Sequence, residues 1–387
     1  MPSFDAIVVG ARPAGAATAM LLARRGHRVL VLDRARRGSD TLSTHALMRA
    51  GVLQLDRWGL LDRVVAAGTP PIGRVSFRYG DRHVPVDLSE PLYAPRRTVL
   101  DPIIVDAAEQ AGAQVHFGVR VEHLLTDATG RVRGVRATGR SGHPVDLTAS
   151  VTIGADGMRS LVAREVDAPV TVQGRAASSF IYGYVEGLRT DHDGIEWLYG
   201  PRVSAGLIPT NDGRHCVFVG APARRFADEL RFDLDAAFAR VLAEVSTEAA
   251  RRVAAADRVG HLRGFPGTPG WLRRPYGDGW ALVGDAGYFK DPQTAHGLAD
   301  ALRDAELLAR ALHDTASGRR SFEDALHGYT RIRDELSQAL FDASDIIARF
   351  DWTYEELAGQ HRAMSSAMKN EVRHLSALDP PAVAAAA

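Results

Sequence analysis

Short aliphatic runs separated by small or polar residues open the chain. AIVVG at 6–10 has the pattern of a buried strand rich in β-branched residues, and HRVLVLDR at 27–34 has it again. Between them AGAATAMLLARRG at 14–26 predicts a helix packed through small side chains and stopped by Gly26. A strand leading into a turn returns in VTIGADGMRSLVAR at 151–164. It returns again in WALVGDAGYFKDPQTAHGLADALRDAELLA at 280–309, where a loop leads to a long helix opening at Gly297. Elsewhere the apolar positions alternate. GRVSFRYGDRHVPVDL at 73–88 reads as a hairpin, and SSFIYGYVEGL, GIEWLYG, VSAGLIPTNDG and RHCVFVGAP read as strands parted by Gly, Pro and Asp turns. Together they predict a mixed, mostly antiparallel sheet. Residues 226–256 carry a helical period, 321–378 read as helices, and 379–387 as a frayed, flexible tail.

Composition narrows the partners more than the fold. A chain of 387 residues suffices for one large domain or two entwined ones. Its 47 basic and 47 acidic side chains cancel, which points away from nucleic acid and from a polybasic membrane patch. Lys290 and Lys369 are the only lysines. Cys216 is the only cysteine and lies in an apolar strand pattern, so it reads as a buried inert thiol in a reducing compartment. No run approaches the roughly 18 apolar residues of a membrane span. Arg24 and Arg25 follow the apolar stretch near the N-terminus instead of preceding it, unlike a secretory leader. A cytoplasmic location is expected.

The first strand, helix and second strand form a βαβ unit around Gly10-Ala11-Arg12-Pro13-Ala14-Gly15. In this context a glycine pattern signals a dinucleotide diphosphate site. Gly10 makes the tight turn, the helix start offers free N–H groups and the positive end of its dipole, and Gly15 lets helix and strand approach. Arg12 occupies the usual middle glycine. Its side chain is tolerable there if it points outward, because the donors are backbone groups. Pro13 suits a first helical position. Asp33 stands where a carboxylate can accept hydrogen bonds from an adenosine ribose. The motif by itself does not separate FAD from NAD, and an ordinary nucleotide-free turn is its alternative.

With Asp156-Gly157 in the second segment, Gly284-Asp285 and Pro292 in the third, and Arg97, Leu100 and Asp101 in RRTVLD, the chain resembles the FAD-dependent monooxygenase superfamily of the aromatic-hydroxylase type. Geranylgeranyl reductases and flavin halogenases are its cousins. The resemblance spans essentially the whole sequence. It implies an α/β fold: a Rossmann-like FAD-binding domain of the aromatic-hydroxylase/glutathione-reductase type, with an inserted mixed β-sheet substrate domain and C-terminal helices. The discontinuous FAD-binding domain would comprise 1–70, 95–165 and 270–320, with 71–94 and 166–269 forming the substrate sheet.

By the same resemblance FAD is the cofactor. Asp33 and Arg34 would serve its adenosine end, Arg97 its phosphates and Val121 its adenine. Asp285 would bind ribityl or ribose hydroxyls, and Gly297 and Leu298 would present a helix start to the flavin N1–C2=O edge. Asp156 and Gly157 would serve FAD and NAD(P)H, with a helix N-cap as the alternative for Asp156. Ala295 replaces a glycine that many relatives carry in this loop. A second glycine-rich βαβ unit is absent, so NAD(P)H would act as a transient electron donor.

A monooxygenase of an aromatic or polyketide-like small molecule, working through a flavin C4a-hydroperoxide, is the reading favoured by these motifs. The alternatives are an FAD-dependent reductase or dehydrogenase of carbon–carbon bonds and a non-catalytic binding protein of the same fold. No W-x-W-x-I-P segment supports a halogenase. His45 and His296 are candidate bases, each with a structural hydrogen-bonding role as its alternative. Trp197, Tyr199 and Phe289 are candidates for the substrate pocket, with core packing the alternative for the first two. A metal site is not expected. A separate flavin reductase and a homodimer through the C-terminal helices are open, as is the use of those helices to cap the pocket.

Overall fold

A computed structural model describes residues 3–139, 142–190 and 194–380. Residues 381–387 of the expected tail lie outside the described residues.

The aliphatic runs of the sequence form a sheet that is parallel except at one edge, where Tyr276–Gly277 runs antiparallel to Trp280–Leu282. Its order is Tyr276–Gly277, Trp280–Leu282, Pro144–Gly154, Phe4–Val9, Val29–Asp33, Gln114–Phe117. Val9 lies opposite both Leu32 and Gly154, Leu282 opposite Gly154, and Asp33 opposite Phe117. This register brings the ends of the strands to one edge. The segments after them, at Gly10, Ala155 and Gly284, therefore emerge side by side, where open α/β sheets bind ligands. The first half of Pro144–Gly154 pairs instead with an antiparallel ribbon, Arg120–Thr126 and Val132–Thr138. Helix Pro13–Ala23 packs between Gly297–Ala316 and Arg97–Gln110. Its run of alanines permits that approach: Ala16, Ala17 and Ala19 are fully or almost fully buried.

The alternating segments form a seven-stranded sheet. Its order is Asp257–Phe265, Ser178–Glu186, Arg214–Pro222, Val203–Pro209, Ile195–Gly200, Ile72–Tyr79, Arg82–Leu92. Its neighbours are antiparallel except for the parallel pair Ile195–Gly200 and Ile72–Tyr79. Both faces are covered. Ile181, Leu198, Leu207 and Val219 pack with Val241 and Leu242 of helix Leu234–Val245. Phe180, Tyr182, Tyr184, Trp197 and Phe218 share the other face with residues of the C-terminal helices.

The helical period over 226–256 is interrupted. Asp233 and Ser246 turn their side chains onto the N–H groups of Ala236 and Ala249, starting new helices at Leu234 and Thr247. The C-terminal region divides into Phe322–Ile347 and Tyr354–Ser376, parted by Phe350 at φ +57° and restarted by a capping box of Thr353 and Glu356. Among the described residues no helix is long and apolar enough to cross a membrane.

Candidate functional site

Gly10 leaves the first strand at φ +106°, and a Cβ there would stand 2.5 Å from the carbonyl oxygen of Ala155. A Cβ on Gly15 would stand 1.9 Å from the Gly10 oxygen. Both glycines are therefore required by contact between the loop and the neighbouring strand end. Helix Pro13–Ala23 starts without a side-chain cap and with proline in its first turn. Its first intrahelical donor is Ala16, which bonds to the Arg12 carbonyl, so the N–H groups of Ala14 and Gly15 precede the helical ladder.

Asp33 acts on this loop directly. One carboxylate oxygen accepts from Ala11 N at 2.7 Å and the other from Ala35 N at 2.7 Å. The Arg12 side chain leaves the loop outward. It donates to Asp101 at 2.8 Å and to the Ser39 carbonyl at 2.7 Å, while Arg97 grips the same Asp101 at 2.6 and 3.0 Å. Arg12 lines both the main cavity and a narrow crevice beside Asp33. Arg34 is exposed and off the crevice, whose wall holds Arg36 and Arg37 instead, because the chain turns sharply after Asp33. Val121 is tied into a ladder with Ala137 and is also off that wall.

The main cavity, about 260 Å³, lies between the two sheets. Pro13, Ala14, Gly157, Asp285, Gly297 and Leu298 line one side, and Phe180, Tyr182, Phe218 and Phe265 bring an aromatic surface from the seven-stranded sheet. Helix Gly297–Ala316 also begins without a side-chain cap. Two helix N-termini with unspent amides thus meet one chamber, an electrostatic setting for an anionic or electron-rich ligand. Gly284, at φ +61°, allows its turn to approach Ala14, whose Cβ would lie 2.9 Å from an added methyl. Asp285 beside it is half-buried. Burial pushes its carboxyl up to about 6 against the pull of Lys290 and Arg97.

Asp156 sits in the turn ahead of helix Leu161–Glu165. Oδ2 accepts from Leu161 N at 2.6 Å, while Oδ1 is buried with no partner and burial raises the carboxyl. Ser160 supplies the helix cap itself, accepting from Ala163 N. Ala295 sits at φ +48°, a left-handed conformation that explains why a glycine suits this place.

An ionic cluster closes one end of the chamber. His296 Nδ1 lies 3.1 Å from Asp300 and its Nε2 3.0 Å from Glu371. Arg303 bonds Asp304, Glu371 and Ser337 at 2.7, 3.0 and 2.9 Å, and Lys290 pairs with Asp300. Every member is buried. Burial lowers the His296 imidazole, Glu371 opposing. His296, Asp300 and Glu371 bring ligand atoms within 4.8 Å of one another, and the two carboxylates are already met by Arg303 and Lys290.

His45 is fully buried at φ +66°, with Nε2 2.5 Å from the Tyr184 hydroxyl and Nδ1 unpartnered. Burial, with Arg97 and Arg96 nearby, pushes it down to about 3, so it stays neutral. Its neighbours Ser43, Thr44 and Ala46 reach the cavity and it does not. Of the aromatic candidates, Phe289 lines the cavity. Trp197 packs behind Phe218 with centroids 5.8 Å apart, and Tyr199 stacks on Tyr79 at 5.6 Å. Helix Tyr354–Ser376 covers that part of the sheet, its His361 ring 5.0 Å from that of Tyr199. The cavity's Phe180, Tyr182, Phe218, Phe265 and Lys290 escaped sequence reasoning. The first three lie in segments that read as strands, SSFIYGYVEGL and RHCVFVGAP, a pattern that does not say which face holds a chamber.

The residues fit FAD. The close approach at Gly10 and Gly15 and the two uncapped helix starts form a polar track continuous with an aromatic chamber.

Comparison with known proteins agrees. The sequence matches the FAD binding domain family over residues 3–344. It is 29% identical over 313 residues to digeranylgeranylglycerophospholipid reductase 2 of Methanopyrus kandleri, covering 77% of this chain and 74% of that protein. FixC of Salmonella typhi is 30% identical over 227 residues, 57% of this chain and about half, 49%, of FixC. A triple mutant of the flavin-dependent brominase Bmp2 superposes with a TM-score of 0.84 at 19% identity, covering 98% of this chain and 97% of that one. PqsL, a probable FAD-dependent monooxygenase from Pseudomonas aeruginosa, gives 0.78 at 24% identity, covering 93% and 99%. At these identities the structural matches speak to the fold alone.

Proposed function

The chain belongs to the FAD binding domain family and is an FAD-dependent oxidoreductase, and from that premise we propose that it is a monooxygenase of a small aromatic or polyketide-like molecule, reduced by NAD(P)H. The observation that carries this reading is the chamber itself, with two uncapped helix starts on one side and four aromatic side chains on the other. FAD, when bound, supplies two-electron redox chemistry and, once reduced, reaction with oxygen.

The chain's own residues bind, orient and exclude water. When FAD is bound, the amides of Ala14 and Gly15 would hold its diphosphate, Asp285 would accept from sugar-chain hydroxyls, and the start of helix Gly297–Ala316 would favour the negative charge that the flavin gains on reduction. Phe180, Tyr182, Phe218 and Phe265 hold a planar substrate and keep the chamber dry. His45 holds Tyr184 in place and moves no proton. A second reading, reduction of a carbon–carbon double bond without oxygen, draws support from the 29% identity to the archaeal lipid reductase.

The purified protein should be yellow. With NAD(P)H and an aromatic substrate it should consume oxygen and give a product heavier by one oxygen atom. Turnover that proceeds equally without oxygen selects the reductase, and a colourless protein that FAD does not restore removes both enzyme readings.

A further inference from the structure

Helix Gly297–Ala316 meets the cavity with its start uncapped, and the residue that leaves it so is His296. A residue in this place ordinarily turns a side-chain acceptor onto the first free N–H groups. Here Asp300 N gives the first helical bond, to the His296 carbonyl, and the N–H groups of Gly297, Leu298 and Ala299 precede the ladder. The imidazole is held in another direction. It is 1% exposed, with Nδ1 3.1 Å from Asp300 Oδ1 and Nε2 3.0 Å from Glu371 Oε2. Asp300 belongs to the same helix, so the hold from outside is Glu371, on helix Tyr354–Ser376. Arg303 anchors the other Glu371 oxygen at 3.0 Å and is itself bonded to Asp304 and Ser337. Burial raises the Glu371 carboxyl, but His296 and Arg303 hold it below its ordinary value, so it acts as an anion. The far end of the loop is fixed from the seven-stranded sheet, where Asp291 accepts from Ser178 N at 2.6 Å and Gln293 bonds Ser204 at 3.1 Å. Between these anchors Ala295 keeps its left-handed turn.

We propose that Glu371 is a positioning residue for the flavin: by holding the His296 imidazole off the helix start, it keeps the amides of Gly297 and Leu298 open to the cavity they line. Without that hold the imidazole is free to accept from those amides, as a helix cap does, and to compete with the ligand. The last helix thereby reaches the cofactor through one side chain. This deepens the functional reading above and rests on its FAD site, not on its oxygen chemistry.

Two variants separate reach from charge. Glu371→Asp keeps the charge and shortens the reach, while Glu371→Gln keeps the reach and loses the charge. FAD titrated into each apoprotein should bind Glu371→Asp roughly tenfold more weakly than the unaltered protein, the equivalent of one hydrogen bond, and Glu371→Gln within roughly twofold. The midpoint potential of the bound flavin should fall in Glu371→Asp, because a blocked helix start no longer favours the charge gained on reduction, and should not fall in Glu371→Gln. Weakened FAD in Glu371→Gln with Glu371→Asp unaltered overturns the proposal by assigning the effect to charge. Equal behaviour of the two variants overturns it, and so does weaker FAD in Glu371→Asp at an unchanged potential, which loosened packing alone would give. Should Glu371→Asp fail to fold, hydrogen exchange in the unaltered protein decides. FAD should slow exchange at 297–299 and, by reciprocity, around Glu371, and protection confined to 297–299 overturns the proposal. An unaltered protein that binds no FAD removes the site and the proposal together, whereas failure of oxygen-dependent turnover alone sinks the monooxygenase reading and leaves these results standing.

Discussion

Gly15 and Gly297 are both glycines at helix starts on one cavity, and the space around them sets opposite expectations. A methyl on Gly15 would fall 1.9 Å from the Gly10 oxygen and 3.0 Å from the Ala155 methyl, with backbone on one side that has no room to yield. Gly15→Ala should cost about 1–3 kcal/mol or more by overpacking and lose FAD, measured by denaturant melts and bound flavin. A methyl on Gly297 meets nothing within 4 Å. Gly297→Ala should leave apoprotein stability level or raise it by up to about 0.5 kcal/mol while weakening FAD, since that open space is cavity wall. Equal behaviour of the two variants would contradict this account. Arg12 differs from both: its place in the loop was plain in the sequence, but the guanidinium's attachment to Asp101 and Ser39 was not, because those partners come from other segments.

At the scale of elements, helix Tyr354–Ser376 had two uses open to it in the sequence. It lies on the seven-stranded sheet, where His361 Nδ1 meets the Tyr79 hydroxyl at 2.7 Å, and it delivers Glu371 to the ionic cluster. Burial holds His361 down at about 4, below its ordinary 6.5. Between those values the unfolded chain binds the extra proton, so this group's contribution to stability is present above pH 6.5 and is lost as pH falls toward 4. The loss approaches about 1.4 kcal/mol per pH unit within that window. His361→Gln, which keeps a polar atom and removes the titration, should show a shallower fall in melting temperature over the same range. A parallel fall in both proteins would place the pH dependence elsewhere. The two breaks in the helical stretch 226–256 follow from Asp233 and Ser246, both visible in the sequence as capping residues, though the amphipathic period ran through them.

Over the whole molecule, the cavity is the seam between two sheets whose other faces are already packed against helices. A cofactor seated in it binds the folded chain and not the unfolded one. Removing FAD should therefore lower the melting temperature, and adding it back should raise stability by about 2.7 kcal/mol at a hundredfold excess over its dissociation constant. Asp285→Ala should fold, stay colourless and show no such FAD-dependent rise. Retained flavin in that variant would refute the part given to this turn.

The glycine turns, the uncapped helix starts and the acids Asp33, Asp156 and Asp285 were legible because their physics is local: a turn, a dipole and a carboxylate follow from a few consecutive residues. The α/β order followed from periodicity for the same reason. Which aromatic face holds the chamber, the withdrawal of Trp197 and Tyr199 behind it, and the meeting of Lys290 with Asp300, His296 and Glu371 were decided by tertiary structure. Burial and charge pairing at those places depend on segments far apart in the chain, and only their packing fixes which side chains share a low-dielectric space.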